Sequence, residues 1–303
     1  MAIRTILDTD IGTDVDDCLA LALILGSPEL ALEGITCVYG DVELRGRMVR
    51  KLLALRGRTD IPLRLGARPP LLGLRNVYWG GHEGQGLLTE ADAEEAFSTE
   101  HAVDFIVRTV MENPGEIHLL AIGPLTNVAL AMLKEPRLAT SLRHLTIMGG
   151  VLRGPDSLDL WVVEHNVVCD PEAAHVVLSS GAPMTLVPLD VTTRCNIRRD
   201  GVERLRAVGD PFHDAVAEQV DRYPRFAERG STYLHDPLAA AVVVEPGLVE
   251  MVPLNVAVEL HGRLTSGMTV MRVSAEGLPA TASVALKVDT ARAEEFIVER
   301  LVR

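Results

Sequence analysis

The chain has 303 residues, 48% of them hydrophobic, which is enough to bury a large core and excludes disordered and fibrous classes. Its 42 acidic and 29 basic residues give a net charge of -13, which repels polyanions and excludes nucleic acid as a partner. The N-terminus has no basic segment followed by a long apolar run, and no stretch has membrane-spanning length, so a cytoplasmic protein without a membrane partner is expected.

In chain order the predicted elements are a strand over 4–7, a helix over 16–25, a strand over 31–38 and helices over 45–56 and 102–113. Then follow a strand over 117–121, a helix over 125–134, a strand over 144–148, a helix over 171–179 and a strand over 184–188. This alternation predicts an α/β fold with a mostly parallel central sheet, flanked by helices on both faces as in an open Rossmann-like sheet. No linker, repeat or charge run divides the chain, so one domain over 1–303 is expected. Cys18, Cys37, Cys169 and Cys195 form no C-x-x-C pair and read as reduced, buried thiols.

The first strand end carries the strongest chemical signal, Asp8-Thr-Asp-Ile-Gly-Thr-Asp-Val-Asp-Asp17, with five carboxylates just before a helix. Helix capping accounts for one or two of them. Like charges packed so densely destabilise a fold unless a cation neutralises them, and an all-oxygen set favours Ca²⁺ or Mg²⁺ over zinc. An EF-hand reading fails, because Thr13 stands where that loop needs Gly and Leu19 where it needs a bidentate Glu. Asp8-Thr9-Asp10 also resembles the start of haloacid-dehalogenase-type phosphatases, with Asp8 as nucleophile; Gly12 departs from that pattern, and the other acids would have no role.

Several further strings occur in order: Gly34-Ile-Thr-Cys-Val-Tyr-Gly40, Gly80-Gly-His-Glu-Gly-Gln-Gly-Leu87 and Ala121-Ile-Gly-Pro-Leu-Thr-Asn-Val-Ala-Leu130. Met148-Gly-Gly150, Glu164-His-Asn166, Asp170-Pro-Glu-Ala-Ala174 and Leu234-His-Asp-Pro-Leu-Ala239 complete the set. Together with the aspartate cluster they resemble the inosine/uridine-preferring nucleoside hydrolases over nearly the whole chain. The resemblance implies hydrolysis of the N-glycosidic bond of ribonucleosides by a calcium-bound water. It implies Asp10, Asp17 and Asp236 as calcium ligands, joined by the backbone carbonyl of Thr126, with Asp10 also the general base. Asp16, Glu164 and Asn166 match positions that hold the ribose hydroxyls. His235 matches the acid for the departing base, set against a role in merely orienting Asp236.

His82 lies in a Gly-rich loop that can close over substrate, while Trp79 and Tyr223 are candidates to stack on the base. Asn127 reads as a helix-start residue. The acidic cluster is two residues longer than the common D-x-D-P-G-x-D-D, so Asp14 competes with Asp16 and Asp17 for the second metal position. Asp41 replaces a frequent Asn and His165 a frequent aromatic, and both changes are expected to touch the sugar pocket. The resemblance also implies a homodimer or homotetramer. Besides the phosphatase, a calcium-dependent riboside binder without turnover is the remaining alternative.

Overall fold

The computed structural model describes residues 2–73, 75, 77–93, 96–152 and 163–303. The chain opens with β1 (Ile3–Thr9), α1 (Asp16–Leu25), β2 (Leu30–Cys37), α2 (Val42–Leu55) and β3 (Leu63–Leu65). Next come α3 (Ala102–Glu112), β4 (His118–Ala121), α4 (Thr126–Lys134), α5 (Leu138–Ser141) and β5 (His144–Met148). They are followed by α6 (His165–Cys169), α7 (Pro171–Leu178), β6 (Met184–Val187), α8 (Leu189–Thr192), β7 (Asn196–Arg198) and α9 (Arg199–Ala207). The last elements are α10 (Pro211–Arg222), α11 (Pro224–Arg229), β8 (Ser231–Tyr233), α12 (His235–Val244), β9 (Val249–Val258), β10 (Thr269–Val273), β11 (Ala282–Val288) and α13 (Thr290–Leu301).

Among the described residues, nine strands form one sheet in the order β10-β9-β11-β6-β5-β4-β1-β2-β3, and β7 and β8 make a small antiparallel pair. Every neighbouring pair from β11 to β3 is parallel, whereas β9 runs against both of its neighbours. The mostly parallel α/β sheet expected from the alternation is therefore present. β1 is buried along most of its length, as a strand covered on both faces must be. Its alternate residues feed two cores: Leu7 joins Ile35 and Leu120 on one face, and Ile6 joins Leu119 and Leu145 on the other.

α1 and α12 are apolar nearly all round and buried almost throughout, which fits helices enclosed in a core rather than lying on a surface. α2 begins three residues earlier than the periodicity indicates, because the Asp41 side chain accepts the Glu43 and Leu44 N–H groups and caps it. Among the described residues, no helix is long and apolar enough to cross a membrane.

From β1 the chain moves to β2 on one side and later returns to β4 on the other. This is the strand-order reversal at which open α/β sheets bind ligands, in the crevice beyond the carboxyl ends of their strands. The loop after β1 holds Asp10 there, and the loop after β4 holds Ile122 and Gly123. A Cβ on Gly123 would lie 2.8 Å from Asp10 Oδ1, so the bare glycine is what lets the two loops close together.

Candidate active site

A cavity of about 520 Å³ opens over this crevice, lined by Asp10, Asp14, Asp16, Asp17, Glu164 and Asp236 among its acids. Asp16 and Asp17 start α1 and Asp236 lies in the first turn of α12, so the two buried helices bring their N-termini together. There the helix dipoles and free N–H groups favour carboxylates. Asp16 Oδ2 accepts the Asp236 backbone N–H at 3.2 Å, and the Thr9 hydroxyl donates to Asp17 Oδ1 at 2.5 Å.

Asp16, Asp17 and Asp236 are all buried, and each offers an oxygen within 4.8 Å of the others. Burial first, and repulsion from neighbouring aspartates including Asp14 and Asp10 second, holds all three well above the usual carboxylate range. Three buried carboxylates at this spacing with only hard oxygen donors fit a divalent cation, which would remove the repulsion. Asp10 lies on the cavity wall beside them. Thr126 starts α4 and lies outside the cavity lining; its hydroxyl donates to Asp170 Oδ2 at 2.6 Å.

Glu164 caps α6, its carboxylate accepting the N–H groups of Gly150, Asn166 and Val167 at 2.7–3.1 Å. Burial raises its pKa, and these N–H groups oppose the rise. Asn166 donates to the carbonyls of Ile122 and Met148, which leaves its amide oxygen as an acceptor for a ligand hydroxyl. His235, at the start of α12, pairs through Nδ1 with the Thr192 hydroxyl at 2.7 Å, leaving Nε2 for a ligand. Burial, with a contribution from Arg225, pushes the imidazole down to about 3, so it is neutral at pH 7. His82 Nε2 lies 3.0 Å from the Thr13 carbonyl, and Tyr223 donates to Asp14 Oδ2 at 2.7 Å, so both residues meet the extra-long acidic loop.

The acids of the N-terminal cluster after Asp8 thus share one cavity with Glu164, Asp236, Asn166, His82 and His235. Asp8 does not: it is wholly buried in β1, where burial pushes it up to about 7, and it lies outside the cavity lining. An attacking nucleophile must reach substrate, so the phosphatase alternative loses its central residue. Trp79 lies outside the cavity lining and covers the Arg45 guanidinium at 5.2 Å, while its neighbour Tyr78 lines the cavity and meets His165 edge-on. Asp41 caps α2 and lies outside the lining, whereas His165 is part of it.

Asn127 is more than a helix-start residue. Its amide joins Asp8, the Cys37 carbonyl and the Ala67 N–H, tying β1, β2 and the segment after β3 together. Arg45, Thr192 and Tyr78 belong to no motif in the sequence. For Arg45 one signal existed: it lies in helical register with Val42, Met48, Val49 and Leu52, the buried stripe of α2.

A sheet of this topology with an acid-lined cleft at its strand-order reversal is the frame of an α/β enzyme that acts on a small polar substrate. The chain belongs to the inosine-uridine preferring nucleoside hydrolase family, whose model matches residues 5–295. It is 37% identical over 317 aligned positions to the pyrimidine-specific ribonucleoside hydrolase RihA of Enterobacter sp. (strain 638), covering 100% of this chain and 99% of the relative. The RihA of Escherichia coli O9:H4 (strain HS) is 36% identical, with 99% of each chain covered. Among solved structures, the purine-preferring ribonucleoside hydrolase from Gardnerella vaginalis superposes with a TM-score of 0.88 at 31% identity, covering 99% of this chain and 98% of that one. A plant nucleoside hydrolase, the PpNRh1 enzyme, gives 0.88 at 28% identity, covering 100% and 99%. The chain is accordingly a nucleoside hydrolase, an enzyme acting on N-glycosyl bonds, and the riboside binder without turnover falls away.

Proposed function

We propose that this enzyme hydrolyses neutral ribonucleosides to ribose and free base with the help of one Ca²⁺, and that Asp10 is the general base. The observation that carries this reading is the buried trio Asp16, Asp17 and Asp236, with ligand atoms within 4.8 Å of one another. Asp17 and Asp236, with Asp10 and the Thr126 carbonyl, would hold the ion. When bound, it would anchor the ribose diol and polarise a water in the cleft.

Asp10, on the cavity wall, would accept a proton from a water in the cleft. Asp16, Glu164 and the Asn166 amide oxygen accept hydrogen bonds from the ribose hydroxyls and fix the sugar. The surrounding carboxylates also favour the positive charge that develops on the sugar as the C–N bond opens. On the departing side, neutral His235 offers Nε2 to the leaving nitrogen, and His82 borders the same cavity. The pyrimidine-specific relatives support pyrimidine ribonucleosides as substrates, and the purine-preferring structure supports purine ribonucleosides. We also propose a single catalytic domain over 1–303, working as a homo-oligomer in the cytoplasm.

Release of free ribose from uridine, cytidine, inosine, adenosine and guanosine tests the reading. Turnover should vanish with chelator and return with calcium. Ribose release that persists undiminished after complete chelation would remove the ion from the mechanism.

A further inference from the structure

Arg45 has no exposed surface, yet it places a guanidinium in the core beside the cleft. From α2 its Nε donates to the Tyr39 carbonyl at 2.7 Å, and Nη1 donates to the carbonyls of Asp10 and Ile11. Nη2 donates to the Thr13 hydroxyl at 3.2 Å and stands 3.9 Å from Asp10 Oδ2. The ring of Trp79 covers the guanidinium. One side chain thus grips three residues of the four-residue run Asp10–Thr13, which belongs to neither β1 nor α1 and includes Gly12 at a φ of +123°.

The grip extends to the Gly-rich loop. The Thr13 hydroxyl also donates to Glu83 Oε1 at 3.2 Å, and that oxygen accepts the Gly80 N–H at 2.6 Å. Burying a guanidinium is costly unless its donors are satisfied, and an apolar side chain would fill the same space without that cost. What an apolar side chain cannot do is hold successive carbonyls of a loop from one planar fork. That is the geometry required where a carboxylate must meet a water within a narrow range of distance and angle.

We propose that Arg45, steadied by Trp79, is a positioning residue for the hydrolysis, fixing the Asp10 loop so that the Asp10 carboxylate is aimed into the cleft. The inference rests on Asp10 being the general base. Arg45 touches no ligand and works only through Asp10 and its loop.

The test measures kcat and KM for uridine and inosine at saturating calcium, with melting temperature and calorimetric calcium affinity, in Arg45→Lys, Trp79→Ala, Asp10→Asn and the Asp10→Asn/Arg45→Lys double variant. Arg45→Lys should lower kcat roughly 10- to 100-fold with KM within about threefold. On the Asp10→Asn background the same change should add almost nothing, since two residues that act through one group are not additive. Trp79→Ala, on a half-buried residue, should keep its melting temperature and calcium affinity while losing kcat about fivefold through the loosened fork. Normal kcat in a folded Arg45→Lys with a lowered melting temperature overturns the inference and leaves Arg45 a purely structural residue. Additive losses in the double variant overturn it equally. If the lysine variant does not fold, Trp79→Ala decides alone, and wild-type kcat there overturns it. Undiminished turnover in Asp10→Asn removes the base assignment itself, an outcome separate from these.

Discussion

Asp236 shows what a single carboxylate costs and supplies in this site. It is buried beside Asp16 and Asp17, and the charges of Asp16, Asp17, Asp10 and Asp14 all oppose its ionisation in the metal-free protein. Asp236→Asn removes one charge at nearly constant shape. The chelated variant should melt higher than the chelated wild type. Calcium at 100 times its dissociation constant should stabilise the wild type by about 2.7 kcal/mol and the variant by far less. Thermal melts with calcium and with chelator check both statements, and equal calcium shifts in the two proteins would place the ion elsewhere. Asn127 makes a contrasting case, since it serves architecture alone. Asn127→Ala takes the acceptor from the Ala67 N–H and one donor each from Asp8 and the Cys37 carbonyl, which keep Thr36 and the Gly66 N–H, and it should lower stability by about 1–3 kcal/mol in a denaturant titration.

At the scale of elements, the site depends on where α1 and α12 begin, and therefore on how both are wedged in the core. α1 ends at Gly26, where a Cβ would lie 2.1 Å from the Arg300 carbonyl of α13. Gly26→Ala must push α1 and α13 apart, and it should cost about 1–3 kcal/mol in chemical denaturation. Because α1 carries Asp16 and Asp17 at its other end, calcium affinity should fall with it. A variant as stable as the wild type would show that the two helices can slide without strain.

α1 was legible in the sequence because an acidic start, an unbroken apolar run and a closing glycine all agreed. The carboxylates were legible on electrostatic grounds, since so many like charges crowded at one strand end mark a place that favours a cation. The C-terminal strands were not. β9 holds Pro253 and Asn255 and has no clean alternation of buried and exposed positions, so neither composition nor periodicity marks it as a strand. The roles of Arg45 and Asn127 were hidden because they depend on partners far along the chain, such as Asp10 and Asp8, and a local pattern does not encode those contacts.

For the whole molecule, acidity and calcium should pull stability in opposite directions. In the folded, metal-free chain Asp14, Asp16, Asp17, Glu164 and Asp236 keep their protons to higher pH than in the unfolded chain, chiefly because of burial, and Asp8 is pushed up to about 7. Above about pH 4 the folded state therefore binds more protons than the unfolded one, and stability falls as pH rises through the raised values, by about 1.4 kcal/mol per unit for each proton. Histidines oppose this. His118 and His235 are pushed down to about 3 by burial, so the unfolded chain binds more protons below about 6.5, and their contribution is lost as pH falls. His144, shifted the same way, adds a smaller effect. Asp8 and the three aspartates held well above the usual range, Asp16, Asp17 and Asp236, outweigh the lowered histidines between about pH 5 and 6.5, so the chelated protein should melt higher at pH 5 than at pH 7. Calcium requires the ionised carboxylates, so its binding releases protons and its stabilisation grows with pH. Melting temperature plotted against pH should therefore fall with chelator and rise with saturating calcium, and the gap between the curves should be widest at the alkaline end. Parallel curves would mean that calcium binding is not linked to these protons, and the buried carboxylates of the cleft would then not be its ligands.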